Sequence, residues 1–138
     1  MPAHDRFHDA VRHALEKEGW TITHDPLSMQ FGTVEYYIDL GAEYMLGAEK
    51  QGEKIAVEIK SFLSKSALSE FHTALGQYIE YRFALAEKHP GRMLFLAVPV
   101  DIHETFFEQQ FIRHIVQGCQ LYLLVYDEAN EVIVTWKK

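Results

Sequence analysis

The chain predicts an α/β domain with a mixed central sheet flanked by helices. Three observations carry that reading. Apolar residues recur at helical spacing over 5–19 and 69–88. A continuous apolar run at 93–98, between Pro90 and Pro99, has the pattern of a strand buried on both faces. The elements follow one another as helix, three strands, long helix, strand, helix and two strands, an alternation that puts helices on the faces of a sheet.

In chain order, Phe7, Val11, Ala14 and Leu15 give the first helix its apolar stripe; Asp5 can cap its start and Gly19 stands where it stops. Residues 20–23 read as a short strand ended by the turn-former Asp25-Pro26. Two extended runs follow, 31–45 and 54–62, separated by the polar, glycine-containing stretch 49–53, a hairpin signal turning near Lys50. Phe71, Leu75, Tyr78, Ile79 and Phe83 form the stripe of the long helix, which His89-Pro90-Gly91 stops. After strand 93–98 come a helix over 103–117, a strand over 120–126, a turn at 127–130 and a last strand over 131–136. No repeat or linker interrupts the 138 residues, so 1–138 reads as one domain, long enough to bury a sizeable core.

Composition narrows the function classes. With 48% hydrophobic and 24% charged residues the chain is globular rather than disordered. No apolar run approaches the roughly 20 residues of a membrane helix, and the first residues lack a signal-peptide layout. The one cysteine, Cys119, allows no internal disulfide and suits a reducing compartment, so a cytoplasmic location is expected. A net charge of −7 argues against gripping nucleic acid with the whole surface, because phosphate affinity comes from Lys and Arg displacing counterions.

The chemistry concentrates in Lys54-Ile55-Ala56-Val57-Glu58-Ile59-Lys60. Alternation puts Ile55, Val57 and Ile59 on one face of a strand and Ala56, Glu58 and Lys60 on the other. In the preceding run, Glu35, Tyr37 and Asp39 share a face. A hairpin would set Asp39 across from Glu58 and Lys60. Two neighbouring carboxylates repel, and a hard cation such as Mg²⁺ (or Mn²⁺) relieves the repulsion through oxygen ligands. An adjacent ammonium can position water or stabilise developing charge. On spacing alone, a salt bridge between Glu58 and Lys60 on an exposed sheet face explains the pair as well.

This order of elements, with Asp39 before the hairpin and Glu58-Ile59-Lys60 after it, resembles the core of the PD-(D/E)xK restriction-endonuclease-like superfamily. The resemblance implies that Asp39 and Glu58 bind the metal and that Lys60 assists hydrolysis, as in a Mg²⁺-dependent DNA endonuclease. Gln77 and Tyr81, four apart on the long helix, resemble the Q-x-x-x-Y element of RecB-like nucleases, which makes Gln77 a further catalytic candidate. Two departures stand out. Ile38 occupies the place of the proline, and His8 stands after Phe7 where many relatives carry a metal-binding glutamate. His8 is therefore a third candidate ligand, better suited to a transition metal, with Glu16 as a substitute. A separate cluster of His4, His8 and Asp9 is the other option.

Several blocks in order resemble a narrower family, the XisH proteins, or fdxN-element excision-controlling factors. They are Trp20-Thr21-Ile22-Thr23-His24-Asp25-Pro26-Leu27, Asp39-Leu40-Gly41-Ala42-Glu43, Ala48-Glu49-Lys50, Ile55 to Phe62, Ala74-Leu75-Gly76-Gln77-Tyr78 and Leu96-Ala97-Val98-Pro99. The resemblance implies a role in programmed DNA excision during heterocyst differentiation in cyanobacteria. A site-specific recombinase performs that excision, and XisH proteins control it alongside a small companion, XisI. Two readings follow: a metal-dependent nuclease acting on DNA, or a non-cleaving nuclease fold that works through a companion or as half of a two-component module. Lys54, Lys60, Lys65, Arg82, Arg92 and Arg113 are the cations that could steer DNA; Glu35, Glu43 and Glu49 would oppose it. Phe106, Phe107 and Phe111 belong either to the core or to a homodimer or partner interface.

Overall fold

The computed structural model describes residues 3–44 and 52–138, with side chains from residue 6 onward. The turn expected near Lys50, with Glu49, and the cap expected from Asp5 lie outside those residues. Helix α1 (Ala3–Lys17) is followed by β1 (Thr21–His24), β2 (Leu27–Phe31), β3 (Val34–Ile38), β4 (Leu40–Tyr44) and β5 (Glu53–Ile59). The second half holds α2 (Ala67–Lys88), β6 (Arg92–Pro99), α3 (Val100–Glu104), a 3₁₀ turn (Phe106–Glu108), α4 (Gln110–Gly118), β7 (Leu123–Asp127) and β8 (Val132–Lys137).

Six strands form a mixed sheet in the order β1-β4-β5-β6-β7-β8. Strands β5, β6 and β7 run parallel, while β4 and β8 flank them antiparallel. Parallel neighbours need crossovers, and right-handed ones made in one direction across the sheet put both connections on one face. That is the observed layering. Phe71, Ala74, Tyr78 and Leu85 of α2 pack with Ile112 of α4 against Ala56, Leu96, Val98 and Val125. On the opposite face, Phe7, Val11 and Leu15 of α1 cover Leu40, Ile55, Val57, Ala97 and Leu124. Each central strand therefore buries both faces, which is why 93–98 contains no polar residue.

Two departures from the sequence reading have local causes. The run 31–45 is not one strand. Leu27–Phe31 and Val34–Ile38 form a separate two-stranded hairpin closed by Gly32-Thr33, with Gly32 at φ +61. A positive φ at the first of two loop residues is the hairpin geometry that favours glycine. The chain then bends at Asp39 and enters the main sheet, so Asp39 parts from Glu35 and Tyr37, which are exposed. The helix expected over 103–117 is broken: Thr105 Oγ1 donates to Asp101 O (2.8 Å) as α3 ends. The break turns Phe107 into an edge-to-face cluster with Phe62 and Phe71, at centroid distances of 5.5 and 5.7 Å. Phe106 joins that cluster, whereas Phe111 is exposed, so the three aromatics divide between core and surface.

Tyr78 ties the layers together. Its buried hydroxyl donates to Leu94 O (2.8 Å) and accepts from Tyr122 N (3.1 Å). Removing it strands a buried carbonyl and amide, so Tyr78→Phe should lose about 1–3 kcal/mol of stability in urea unfolding. A loss below about 0.5 kcal/mol would show the hydroxyl to be replaceable.

Candidate functional site

The antiparallel register of β4 and β5 pairs Leu40 with Val57, which sets Asp39 beside Glu58 at the carboxyl end of the parallel strands. The two are joined reciprocally. Asp39 N donates to Glu58 Oε1 (3.3 Å), and Ile59 N donates to Asp39 Oδ2 (2.8 Å). Lys60 Nζ lies 3.5 Å from Glu58 Oε2. This pair is no exposed surface bridge: the side chains retain 18% and 9% of their accessibility. The Lys60 backbone is pinned on both sides, its N–H donating to Ala97 O (3.0 Å) and its carbonyl accepting from Tyr126 Oη (3.2 Å).

Among the described residues, Glu58 is the one polar residue that is buried as a whole. Burial, then the charge of Asp39, pushes its carboxyl up to about 8, while Lys60 pulls the other way. The same carboxylates reach Tyr81, whose phenol burial, Glu58 and Asp39 hold well above its usual value. Tyr81 is thus within electrostatic reach of the pair, and Gln77 lies one turn earlier on the same helix with a buried Oε1 that no protein donor satisfies. Asp39, Glu58 and Lys60 come together as their spacing suggested, with Tyr81 of the Q-x-x-x-Y element beside them.

His8 takes a different setting. Its Nε2 is 2.7 Å from Asp25 Oδ1, and Arg12 pairs with the other oxygen of Asp25. It also lines a cavity of about 240 Å³ with Ile59, Lys60, Ser61 and Glu70, so it approaches the site from the α1 side. Glu16 pairs with Arg12 at 3.9 Å. The side chain of His4 lies outside the described residues. Among the described residues no group of three or more His, Cys, Asp and Glu side chains gathers to hold a metal. The donor set at Asp39 and Glu58 is instead a carboxylate pair, which fits Mg²⁺ or Mn²⁺, ions that commonly take one or two carboxylates and complete their shell with water and phosphate oxygens.

Two supporting residues escaped the sequence. Glu70 accepts from Phe62 N (3.0 Å) and Ser64 N (3.1 Å), holding the loop that follows Lys60, in which Phe62 adopts φ 54. Asp25 holds His8 in place. Glutamate in the first turn of a helix is a legible signal; its reach back to the preceding loop is not. Of the expected steering cations, Arg92 is spent inside the fold, donating to Ala42 O and Ile55 O, and Lys54 faces Glu43 at 3.8 Å. Arg82 donates to Cys119 O and Gln120 O. Lys60 lies at the site, with Lys65 exposed in the loop beyond it.

Because the folded-state value of Glu58 lies above that of the unfolded chain, its contribution favours folding below about pH 4.5 and is lost as pH rises toward about 8. Glu58→Gln keeps the shape without the buried charge. In metal-free buffer its melting temperature should gain on the parent between pH 5 and pH 8.5; a constant difference would show that Glu58 is ionised throughout.

Comparison with known proteins bears on the whole chain. A family model described as XisH protein matches residues 1–134. A solved XisH family protein from Nostoc punctiforme is 48% identical, covering 97% of this chain and 100% of its own, with a TM-score of 0.88. A solved fdxN element excision controlling factor protein from Anabaena variabilis is 49% identical, covering 97% and 99%, with a TM-score of 0.87. No curated protein matches. No helix of the described residues is long and apolar enough to cross a membrane. With nearly every residue matched and the fold superposing along its length, the chain belongs to the XisH family.

Proposed function

We propose that this chain is a cytoplasmic controlling factor of DNA rearrangement, of the fdxN-element excision type, that uses a divalent-cation site at Asp39 and Glu58 to engage a DNA phosphodiester. The observation that carries the reading is the reciprocal hydrogen bonding of two carboxylates beside Lys60, with Glu58 buried. A sheet end where two acids are held in contact against their repulsion has a use for a cation. Asp39 and Glu58 would hold the ion, while His8 stays on Asp25, outside the ligand set. When bound, Mg²⁺ supplies charge stabilisation at a phosphoryl oxygen and acidifies the attacking water. Lys60 would orient that water or meet the developing charge, and Gln77 would present its amide to the same space.

A second reading, a non-cleaving regulator acting through a companion of the XisI kind and, through it, on the recombinase, draws on the disposition of cations. Lys54 and Arg92 sit at the opposite end of the central strands, Arg92 with its guanidinium buried, and the chain carries a net charge of −7. DNA would then be held with help from a basic partner.

Calorimetric titration of Mg²⁺ and Mn²⁺ tests the first reading. The parent chain should bind, Asp39→Ala and Glu58→Ala should each abolish binding, and affinity should climb between pH 6 and pH 8 as Glu58 gives up its proton. Absence of binding to the parent at pH 8 would overturn the metal site. Incubation with plasmid DNA and Mn²⁺ then separates the readings: nicking that Lys60→Ala removes marks the nuclease, and intact plasmid beside demonstrated metal binding marks the regulator.

A further inference from the structure

Away from Asp39 and Glu58, the turn from α4 into β7 and the end of β8 enclose a cavity of about 420 Å³, within the range that holds small organic ligands. Its floor is apolar, with Phe107 and Leu121 both buried. Its rim carries Arg113, Lys137 and Lys138 against one acid, Glu108. In a chain of net charge −7 this is a local reversal of sign, and it selects an anion. The amides of Gln117 and Gln120 complete the lining, each with a donor and an acceptor.

The wall is a built structure. Arg82 donates to Cys119 O (2.9 Å) and Gln120 O (3.2 Å), fixing the turn from outside. Gln120 N donates to Gln117 O (3.1 Å) and Leu121 N to Val116 O (2.9 Å) from within. Gln120 itself holds φ 53, in the left-handed region where a side chain is uncommon. A glycine would close this turn with less strain; Gln120 instead adds a side-chain amide to the cavity lining. His103 forms another part of the lining; burial, then the nearby Lys137 charge, lowers its pKa.

We propose that this cavity binds a nucleotide, with the phosphate on Arg113 and Lys137, the base on the Phe107–Leu121 floor, and the base edge met by Gln117 and Gln120. Each part of the lining selects against a simpler ligand. A bare phosphate makes no use of the apolar floor. A fatty acid satisfies the floor and the cations but makes no use of the two amides. A heterocycle carrying a phosphate uses all three.

Titrating adenosine 5′-monophosphate into the intact protein by calorimetry tests this. Binding with Kd below about 1 mM is expected, with adenosine and inorganic phosphate each at least about tenfold weaker. Arg113→Glu and Lys137→Glu, both at exposed positions, should weaken binding at least about tenfold with circular dichroism unchanged. Asp39→Ala should bind as the parent does, separating this site from the metal site. Competition by a single-stranded oligodeoxynucleotide would assign the nucleotide to a DNA strand, and lack of competition to a free nucleotide. No heat from the monophosphate, adenosine binding as tightly, or charge reversals without effect would each overturn the proposal.

Discussion

Strands β4 and β5 meet in a register that leaves Asp39 and Glu58 side by side, each accepting an N–H from the other's strand. The contact sits at the open end of the sheet, where one carboxylate is partly buried and the other buried. Burial first, and then the like charge of Asp39, make an ionised Glu58 costly here, so it holds its proton to unusually high pH. The remaining architecture can be understood as what keeps that contact in place. Neither partner can retreat: α1 packs on one face of β5 and α2 on the other, so a shift of one residue would exchange Glu58 for a core aliphatic.

The support extends to the loop beyond. Lys60 leaves β5 with its backbone tied to Ala97 and Tyr126, and six residues later Ser66 caps α2 through Ser69 N (3.1 Å). Between them, Glu70 gathers the amides of Phe62 and Ser64. A left-handed Phe62 persists because its ring is locked among Phe106 and Phe107 while its N–H is held by a carboxylate. The ammonium of Lys60 is thereby delivered from a rigid element.

Much of this was legible in the residues. The alternation in 55–60 predicted which side chains share a face, since a strand has period two and both faces are buried. The long helix and the double-sided strand β6 were readable as elements, but the helix's stripe was not its buried face. Phe83 is exposed, while Ala74, Tyr81, Ala84 and Leu85 pack inward with Phe71 and Tyr78 because the covering hairpin and α4 lie on that side. What escaped was tertiary. Leu27-Ser28-Met29-Gln30-Phe31 alternates as cleanly as any strand in the chain, and Gly32 marks its hairpin, but so short a hairpin pairs only with itself and leaves no trace in the pattern of the main sheet. The chain gave no local sign that Asp25 would engage His8, or that Arg92 would be buried on carbonyls rather than exposed to DNA. Such roles depend on neighbours 17 and 37 residues away, which composition and spacing do not encode.

A cation held at the Asp39–Glu58 contact is what the proposed function requires. Diffraction from crystals soaked in Mn²⁺ at pH 8, collected at a wavelength where manganese scatters anomalously, tests it most directly. A single strong peak is expected about 2.0–2.2 Å from an oxygen of each carboxylate, the usual range for a hard divalent ion of this size. A peak at His8 and Asp25 alone, or none beside two well-ordered carboxylates, would contradict it.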